Sequence, residues 1–396
     1  MVIQVVRFLH TADWQLGKPY GRVRDLDKRA RLKQLRFAVI EKIALLIEAQ
    51  SLAFVLVAGD LFDSIEPTRA DVAQACSAIA AIGVPVFVIP GNHDHAGAGS
   101  FWHETWFKGC QAELAPNLQV LLERKPLEFN DFVLFPCPLQ YQADLEDPTG
   151  WLRKYPFNCH DLRPRLLIAH GSVHGFGNDE ESDWDDENQS RESNRLDLWA
   201  LNQGEIDYIA LGDWHGLKQV DEKTWYAGCP EPDRFPKGAS YRSGQVLLVE
   251  ARRGGKPQVS VHETNISVWH HHRLRLNGDG DLAILDKHLQ QLLANRSGLD
   301  LLLLELEGYL SLEAGQQLQN RLEQLEARLL RLKLRNRCKL SPNQAELRQL
   351  ICRSDDPLLT RVSQRLLTIS EQDNHQQAEL ALLALRELHG LCGEFK

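Results

Sequence analysis

No run in this 396-residue chain approaches the roughly 18 apolar residues of a membrane-spanning helix. The apolar stretch Met1–Leu9 is also too short for a secretory signal. The eight cysteines (Cys76, Cys110, Cys137, Cys159, Cys229, Cys338, Cys352 and Cys392) include no C-x-x-C pair, which excludes the usual zinc or thiol-redox spacing. Several lie in apolar stretches, where reduced core thiols are expected, so a cytoplasmic protein with no membrane partner is the expectation. Internal repeats and long low-complexity tracts are missing as well. Positive charge is scarce: 45 Lys and Arg stand against 54 Asp and Glu, a net charge of −9. That balance does not exclude a phosphate-rich partner. Residues 178–192 alone hold eight acids and one base, which leaves only −2 for the rest of the chain.

What is present is an alternation of short apolar runs and amphipathic segments over the first 250 or so residues. Strands are expected at Val2–His10, Ala53–Ala58, Pro85–Ile89, Arg165–Ala169 and Tyr208–Leu211, with helices at Asp25–Ala49 and Arg69–Ile82. Gln245–Glu250 and Gln258–His262 read as a closing hairpin. The pattern changes near Val268. Trp269–Leu276, Leu301–Leu306 and the alternating Leu330–Arg335 read as strands, with helices at Asp281–Asn295 and Leu312–Glu326 between them. Beyond Pro342 three polar helices are expected. The expected domains are an α/β domain at 1–265, a β-α-β-α-β module at 266–338 and a helical segment at 339–396.

Five clusters of metal-liganding residue types recur in order, nearly all where an expected strand ends: Asp13-Trp14-Gln15, Gly59-Asp60-Leu61-Phe62-Asp63, Gly91-Asn92-His93-Asp94, Ala169-His170-Gly171 and Gly212-Asp213-Trp214-His215. Singly, each has an ordinary structural explanation: Asp13 as a helix cap, Gly91–Asp94 as a turn. Together they match what a binuclear hydrolase requires, hard oxygens and imidazoles gathered from several strand ends with one carboxylate shared. Asp60 is the expected bridge. Asp13 is expected beside one ion, Asn92 and His170 beside the other. His93 is placed to donate a proton to a leaving oxygen, and Asp63 to orient its imidazole. His10 either orients the site or is a satisfied strand-end histidine. Trp14 and Trp214 are expected to pack together beneath the ions.

With these residues in view, His10-Thr11-Ala12-Asp13-Trp14-Gln15-Leu16-Gly17, Gly59–Asp63, Gly91–Asp94, His170-Gly171, Gly212-x-x-His215 and Tyr226–Phe235 resemble the signature of the calcineurin-like metallophosphoesterases. Within that superfamily the resemblance is to the DNA-repair nuclease branch, the SbcD type and its YhaO-like relatives. It implies an α/β four-layer sandwich, two mixed β-sheets flanked by helices, with a small C-terminal α+β capping domain and a helical tail. It also implies two divalent metal ions, DNA end processing beside an SbcC-type coiled-coil ATPase, and a homodimer. Two positions depart from the family pattern: Gln15 stands where D-x-H has His, and Asp213 where G-H-x-H has its first His. With Gln15, Asp213 and His215 completing the ligand set, two nitrogens are exchanged for oxygens. The preference therefore moves toward manganese or magnesium, with iron also open, and away from zinc.

For substrate, Lys18, Arg22 and Arg24 lie nearest Asp13 and are expected to meet phosphates, whereas the basic residues within the following helix, Arg36 among them, fit a solvated face. His174 is a candidate for the substrate rim, and the acidic segment 179–192 a solvated loop or a lid. The three consecutive histidines His270–His272 point alternately and do not converge on one ion. Leu380, Leu383, Leu385 and Leu388 either dock a partner or close the chain's own core. The expected activity is a metal-dependent DNA exonuclease with single-strand endonuclease action. The rivals are a small-nucleotide phosphodiesterase on the same scaffold and a non-catalytic partner that positions DNA for an ATPase.

Overall fold

The computed structural model describes residues 4–173, 193–236, 238, 241–294, 296, 298–340, 343–351, 356–372 and 375–394. Two compact units divide the chain, Met1–Ser267 and Val268–Lys396.

The first unit is built on two six-stranded sheets. One runs from edge to edge through Gln258–Glu263, Gln245–Arg252, Val5–Thr11, Val55–Ala58, Val86–Ile89 and Leu118–Val120. The other runs through Lys218–Gln219, Thr224–Tyr226, Tyr208–Gly212, Arg165–His170, Val133–Cys137 and Leu127–Glu128. Both are mixed. Val5–Thr11 is parallel to Val55–Ala58 and antiparallel to Gln245–Arg252, and Arg165–His170 is parallel to both of its neighbours. Five of the strands, at Val55, Val86, Val133, Arg165 and Tyr208, are buried along their whole length. That is why their sequences are continuous apolar runs and not alternations.

Alternate side chains go to different layers. Phe8, Leu56, Phe87, Ile89, Leu134, Ile168, Ala210 and Leu247 fill the space between the sheets. Val55, Val57, Val86 and Val88 face the helices, where Ile40, Ile43, Ile47, Val72 and Ile79 meet them. The outer face of the second sheet (Phe135, Leu167, Leu211) is covered by Leu152 and Leu198. Both come from short 3-10 turns, Gly150–Lys154 and Leu198–Ala200. This is the expected sandwich, with one outer layer thin among the described residues. The helix Leu26–Gln50 begins where Asp25 accepts hydrogen bonds from the amides of Asp27 and Lys28, and ends at Ser51 in a left-handed conformation.

In the second unit three parallel strands, Trp269–Leu276, Leu301–Leu310 and Arg331–Leu340, place the leucine-rich one in the centre. Helices Asp281–Leu293 and Leu312–Arg328 bury Leu285, Leu318 and Leu322 against Leu302, Leu304 and Leu306. His270, His271 and His272 take separate partners, Asp300, Glu305 and His288. Helices Gln344–Ile351, Pro357–Ser370 and His375–Glu394 complete the unit. Leu385 and Leu388 join a small core with Leu312 and Leu350, while Leu380 and Leu383 are exposed. Among the described residues no helix is long and apolar enough to cross a membrane.

Phe54 stacks on Phe8 at 5.0 Å and on Phe132 at 4.3 Å in the core between the sheets. Phe54→Ala should cost the first unit about 3–5 kcal/mol. Urea unfolding followed by near-ultraviolet circular dichroism reads this as a lowered midpoint.

Candidate metal centre at the strand ends

Asp13 and Gln15 follow the strand Val5–Thr11, Asp60 follows Val55–Ala58, and Asn92 follows Val86–Ile89. His170 ends its strand, and Asp213 and His215 follow Tyr208–Gly212. The turns are sharp enough to require left-handed backbone at four non-glycine residues: Asp13 (φ 53°), Gln15 (φ 44°), Asp60 (φ 53°) and Asp213 (φ 100°). Such conformations cost about 1–3 kcal/mol each and persist where surrounding structure enforces them, commonly at functional sites. Two glycines make the approach sterically feasible. A Cβ at Gly59 would collide with the His170 imidazole, and one at Gly91 with the Asp60 carboxylate.

Asp60 lies at the centre and is buried. Its Oδ1 accepts from the His93 amide at 3.0 Å and is 3.6 Å from His170 Nε2, while Oδ2 is 4.0 Å from His93 Nε2. Burial would raise its pKa, but the His170 and His93 imidazoles outweigh that and hold it low. Asp13, equally buried, goes the other way: burial raises it above the carboxylate range. Of this closely coupled pair, Asp60 gives up its charge at the lower pH. Asp13 Oδ1 accepts from the Asp213 amide at 3.1 Å, and its Oδ2 is buried without a hydrogen-bond partner among the described residues. An orphaned carboxylate oxygen beside a second carboxylate and an imidazole suits a hard divalent cation.

His170 Nδ1 donates to the Ala58 carbonyl at 2.8 Å, which turns Nε2 toward Asn92 Oδ1, also at 2.8 Å, and toward Asp213 Oδ1 at 3.9 Å. Burial lowers its pKa, but Asp60, Asp13 and Asp213 together raise it to about 9. Asp213 is further held by the Ser172 hydroxyl at 2.8 Å. His215 Nδ1 lies 2.9 Å from both Asp233 Oδ2 and Arg234 Nη2, and its Nε2 faces the cluster, 3.4 Å from the Gln15 amide nitrogen. Burial would raise Asp233, but Arg234, His215 and Lys18 outweigh it and keep its carboxyl well below the usual carboxylate range. Ligand atoms of Asp13, Asp60 and His170 all fall within 4.8 Å of one another, as do those of Asp13, His215 and Cys229. The fold therefore brings Asp13, Asp60, Asn92, His170, Asp213 and His215 together from both sheets, and the donors fit divalent cations.

The remaining expected residues are placed less simply. Gln15 reaches the cluster, but its carbonyl oxygen accepts from Lys18 Nζ at 2.7 Å. Lys18 is drawn inward to Asp63 at 3.0 Å and Asp233 at 3.5 Å, not outward to a phosphate. Arg22 and Arg24 are exposed. The Asp63 backbone carbonyl, not its carboxylate, lies 3.1 Å from His93 Nδ1, because Lys18 occupies the carboxylate. His174 and the acidic segment 179–192 lie outside the described residues. His10 is a buried strut between the Tyr208 hydroxyl (2.9 Å) and the Leu211 carbonyl (3.2 Å). The two tryptophans belong to different layers: Trp14 is buried beside the first sheet, and Trp214 packs against Tyr241 at 6.1 Å.

Sequence reasoning missed three supports. Arg36, expected in solvent, is buried and donates to the carbonyls of Trp14 (2.8 Å) and Asp13 (3.3 Å) and to the Tyr20 hydroxyl (3.1 Å). Its spacing from Leu32 and Val39 was the available signal. Asp94 ties two turns together, accepting from Gly91 N at 2.7 Å and Phe62 N at 3.0 Å. Asp233, which holds His215, stands in the Tyr226–Phe235 stretch that carries the resemblance, but its role there was not assigned.

Residues 6–246 match the family described as Calcineurin-like phosphoesterase, and the chain belongs to that family, whose members use two divalent metals. Among curated proteins it is similar to the DNA double-strand break repair protein Mre11 of Methanosarcina acetivorans, 28% identical over 237 residues, 57% of this chain and 34% of that protein. It is also similar to the SbcD component of the nuclease SbcCD of Bacillus subtilis, 33% identical over 94 residues, 23% of this chain and 22% of that protein. The chain thus spans about a third of the length of the first relative and about a fifth of the second. A solved structure titled as a dimetal phosphatase from Danio rerio aligns with a TM-score of 0.35 at 13% identity, covering 65% of this chain and 98% of that one, too distant a likeness to carry weight.

Two outcomes follow from this geometry. A cation needs the unprotonated Nε2 of His170, whose metal-free pKa is raised to about 9. Apparent manganese affinity should therefore rise about tenfold per pH unit between pH 7 and 8 and level off above 9. In metal-free protein the sign reverses: stability contributed by protonated His170 is full below its unfolded value near 6.5 and is lost as pH rises through 9. Calorimetric titration and thermal melts across that range check both. Gly91→Ala, which forces the Asp60 carboxylate aside, should abolish manganese retention while leaving far-ultraviolet circular dichroism nearly unchanged.

Proposed function

We propose that this chain is a metal-dependent phosphodiesterase that cleaves DNA, chiefly as an exonuclease with some single-strand endonuclease action, and that it works beside a coiled-coil ATPase. The observation that carries the reading is the buried Asp13, Asp60 and His170 group with the part-exposed His93 beside it. In this reading Asp13, Asp60 and His215, with Gln15 beside them, form one cation position, and Asp60, Asn92, His170 and Asp213 form the other. Manganese or magnesium suits the oxygen-rich set. Bound ions would neutralise charge on a phosphoryl group and make a water nucleophilic near neutral pH.

The chain's own residues supply the rest. His93 donates the proton to the leaving oxygen. Burial opposes its charged form, but Asp60 and Asp63 outweigh that and raise its pKa above the ordinary imidazole value, which favours the proton it would donate. The Asp63 carbonyl keeps its Nε2 directed toward Asp60. Arg22 and Arg24 supply phosphate contacts, and Lys18 is reassigned to the interior of the site. Residues 266–338 act as the capping module, with 339–396 as a helical extension that closes its core. Support for DNA over a small nucleotide comes from the names of the two relatives and from this additional unit, which a compact substrate does not need.

The test is a gel assay on end-labelled duplex and single-stranded DNA with manganese, run beside a bis-aryl phosphate and a cyclic nucleotide. DNA cleavage is expected, lost entirely in Asp60→Asn. In His93→Ala it should fall about 10²–10⁴-fold with manganese binding retained. Hydrolysis of the small esters without DNA cleavage would favour a small-nucleotide enzyme. Inactivity of the manganese-loaded protein on every substrate would favour a scaffold that positions DNA.

A further inference from the structure

The two cation positions are not supported alike. Around the one made by Asp60, Asn92, His170 and Asp213, the donor atoms already face one another: Asn92 Oδ1 and His170 Nε2 are 2.8 Å apart, with Asp60 and Asp213 oxygens 3.6 and 3.9 Å from the same nitrogen. Donors bound to one octahedral ion at 2.0–2.1 Å lie about 3 Å apart, so little movement is needed. Two of the four donors are carboxylates, which favour a hard cation.

Around the other position, Gln15 faces the wrong way. Lys18 is an ammonium with three protons and no lone pair. It gives its protons to Gln15 Oε1 at 2.7 Å, Asp63 Oδ1 at 3.0 Å and Asp233 Oδ2 at 3.5 Å. Rotating the Gln15 amide by half a turn would set its NH2 against that ammonium, donor against donor. The carbonyl therefore stays on Lys18, and the amide nitrogen is presented to His215 Nε2 at 3.4 Å. An amide nitrogen has no lone pair to give a metal, and its protons occupy the side of His215 that an ion must use. Asp13, the shared Asp60 and His215 remain as donors there, with the Cys229 sulfur, a soft donor ill-matched to manganese, within 4.8 Å of Asp13 and His215.

We infer that the positions are unequal by construction: the Asp60–Asn92–His170–Asp213 position holds one divalent ion firmly, while Lys18, by fixing Gln15, leaves the Asp13–Asp60–His215 position a weak site for a second. Lys18 is then a specificity-determining residue for metal loading, and Gln15 a spacer and not a ligand. The inference rests on the reading of this cluster as a metal centre.

The test counts metal and does not depend on turnover. Chelator-stripped protein is titrated with manganese by calorimetry, and manganese retained after gel filtration is measured by elemental analysis. Wild-type chain should retain one equivalent and bind a second about 100-fold more weakly, the upper end of what a lost metal-site contact costs. Gln15→Ala should leave the second affinity no weaker. Gln15→Glu offers one oxygen to Lys18 and another to the ion, and should bring retention to two equivalents. Two equally tight ions in the wild type, or loss of the second ion in Gln15→Ala, would overturn the inference. No bound manganese in the wild type would instead remove the metal centre, and this inference with it.

Discussion

A carboxylate held away from water between two sheets needs compensating charge, and the first unit is arranged around meeting that need for Asp60. An uncompensated buried charge costs several kcal/mol even after relaxation. Here the His93 amide, the His170 imidazole and the His93 imidazole all converge on it. They can do so only because parallel strands of both sheets end along one margin, and because Gly59 and Gly91 lack the Cβ that would keep His170 and Asp60 out. The left-handed backbone at Asp13, Gln15, Asp60 and Asp213 is a cost of the same arrangement. Arg36 and Asp94 keep it in place: one gathers the carbonyls at Asp13 and Trp14, the other binds the amides of Phe62 and Gly91. In this sense the helix Leu26–Gln50 contributes to the site as much as to the core, since it delivers Arg36 beneath the first turn.

The strand-end clusters were legible in the sequence for a physical reason. Strands buried on both faces leave continuous apolar runs, and a polar residue ends such a run only where the chain leaves the sheet, which is where Asp60, Asn92, His170 and Asp213 stand. The helices were readable from their apolar spacing and from the Asp25 cap. Less visible were pairings between residues far apart in the chain. Lys18 meets Asp233, and His215 depends on the same carboxylate; no local pattern announces either. Arg36 is a different kind of miss. It stands on the same helical stripe as Leu32, Leu35 and Val39, but a run of basic neighbours made it look solvated. Position on the helix, not residue type, was the better guide. Asp63 illustrates a third limit: a side chain two interactions can compete for goes to the stronger one, and the Lys18 ammonium takes the carboxylate that His93 would otherwise have used.

The placement of the support groups also explains how so many charges share one small volume. Asp233 is fully enclosed yet strongly anionic because Arg234, His215 and Lys18 surround it. With Arg234 it holds the Nδ1 edge of His215, so the Nε2 edge is the one turned toward the cluster. Lys18 connects this outer group to the inner one through Gln15. Charge is therefore arranged in rings, with Asp13, Asp60 and Asp213 inside and Asp63, Asp233, Lys18 and Arg234 around them. A substitution in the outer ring acts on the inner one by turning a side chain, without needing to alter a ligand.

The two imidazoles on Asp60 differ in exposure, and the same carboxylate meets both. His170 is wholly buried and in the proposed reading would give up its Nε2 proton to bind a cation; His93 is a third exposed and in that reading would keep a proton for the leaving group. Without a cation, Asp60 raises both. Once positive charge is set against Asp60, its pull on each weakens. A cation there would also repel the proton on His93, so in the proposed reading His93 would give that proton up more readily than in the cation-free protein. In the proposed reading, cation loading and proton donation are thus linked through one carboxylate, and the difference in exposure between the two histidines matches a buried ligand and an outward-facing acid.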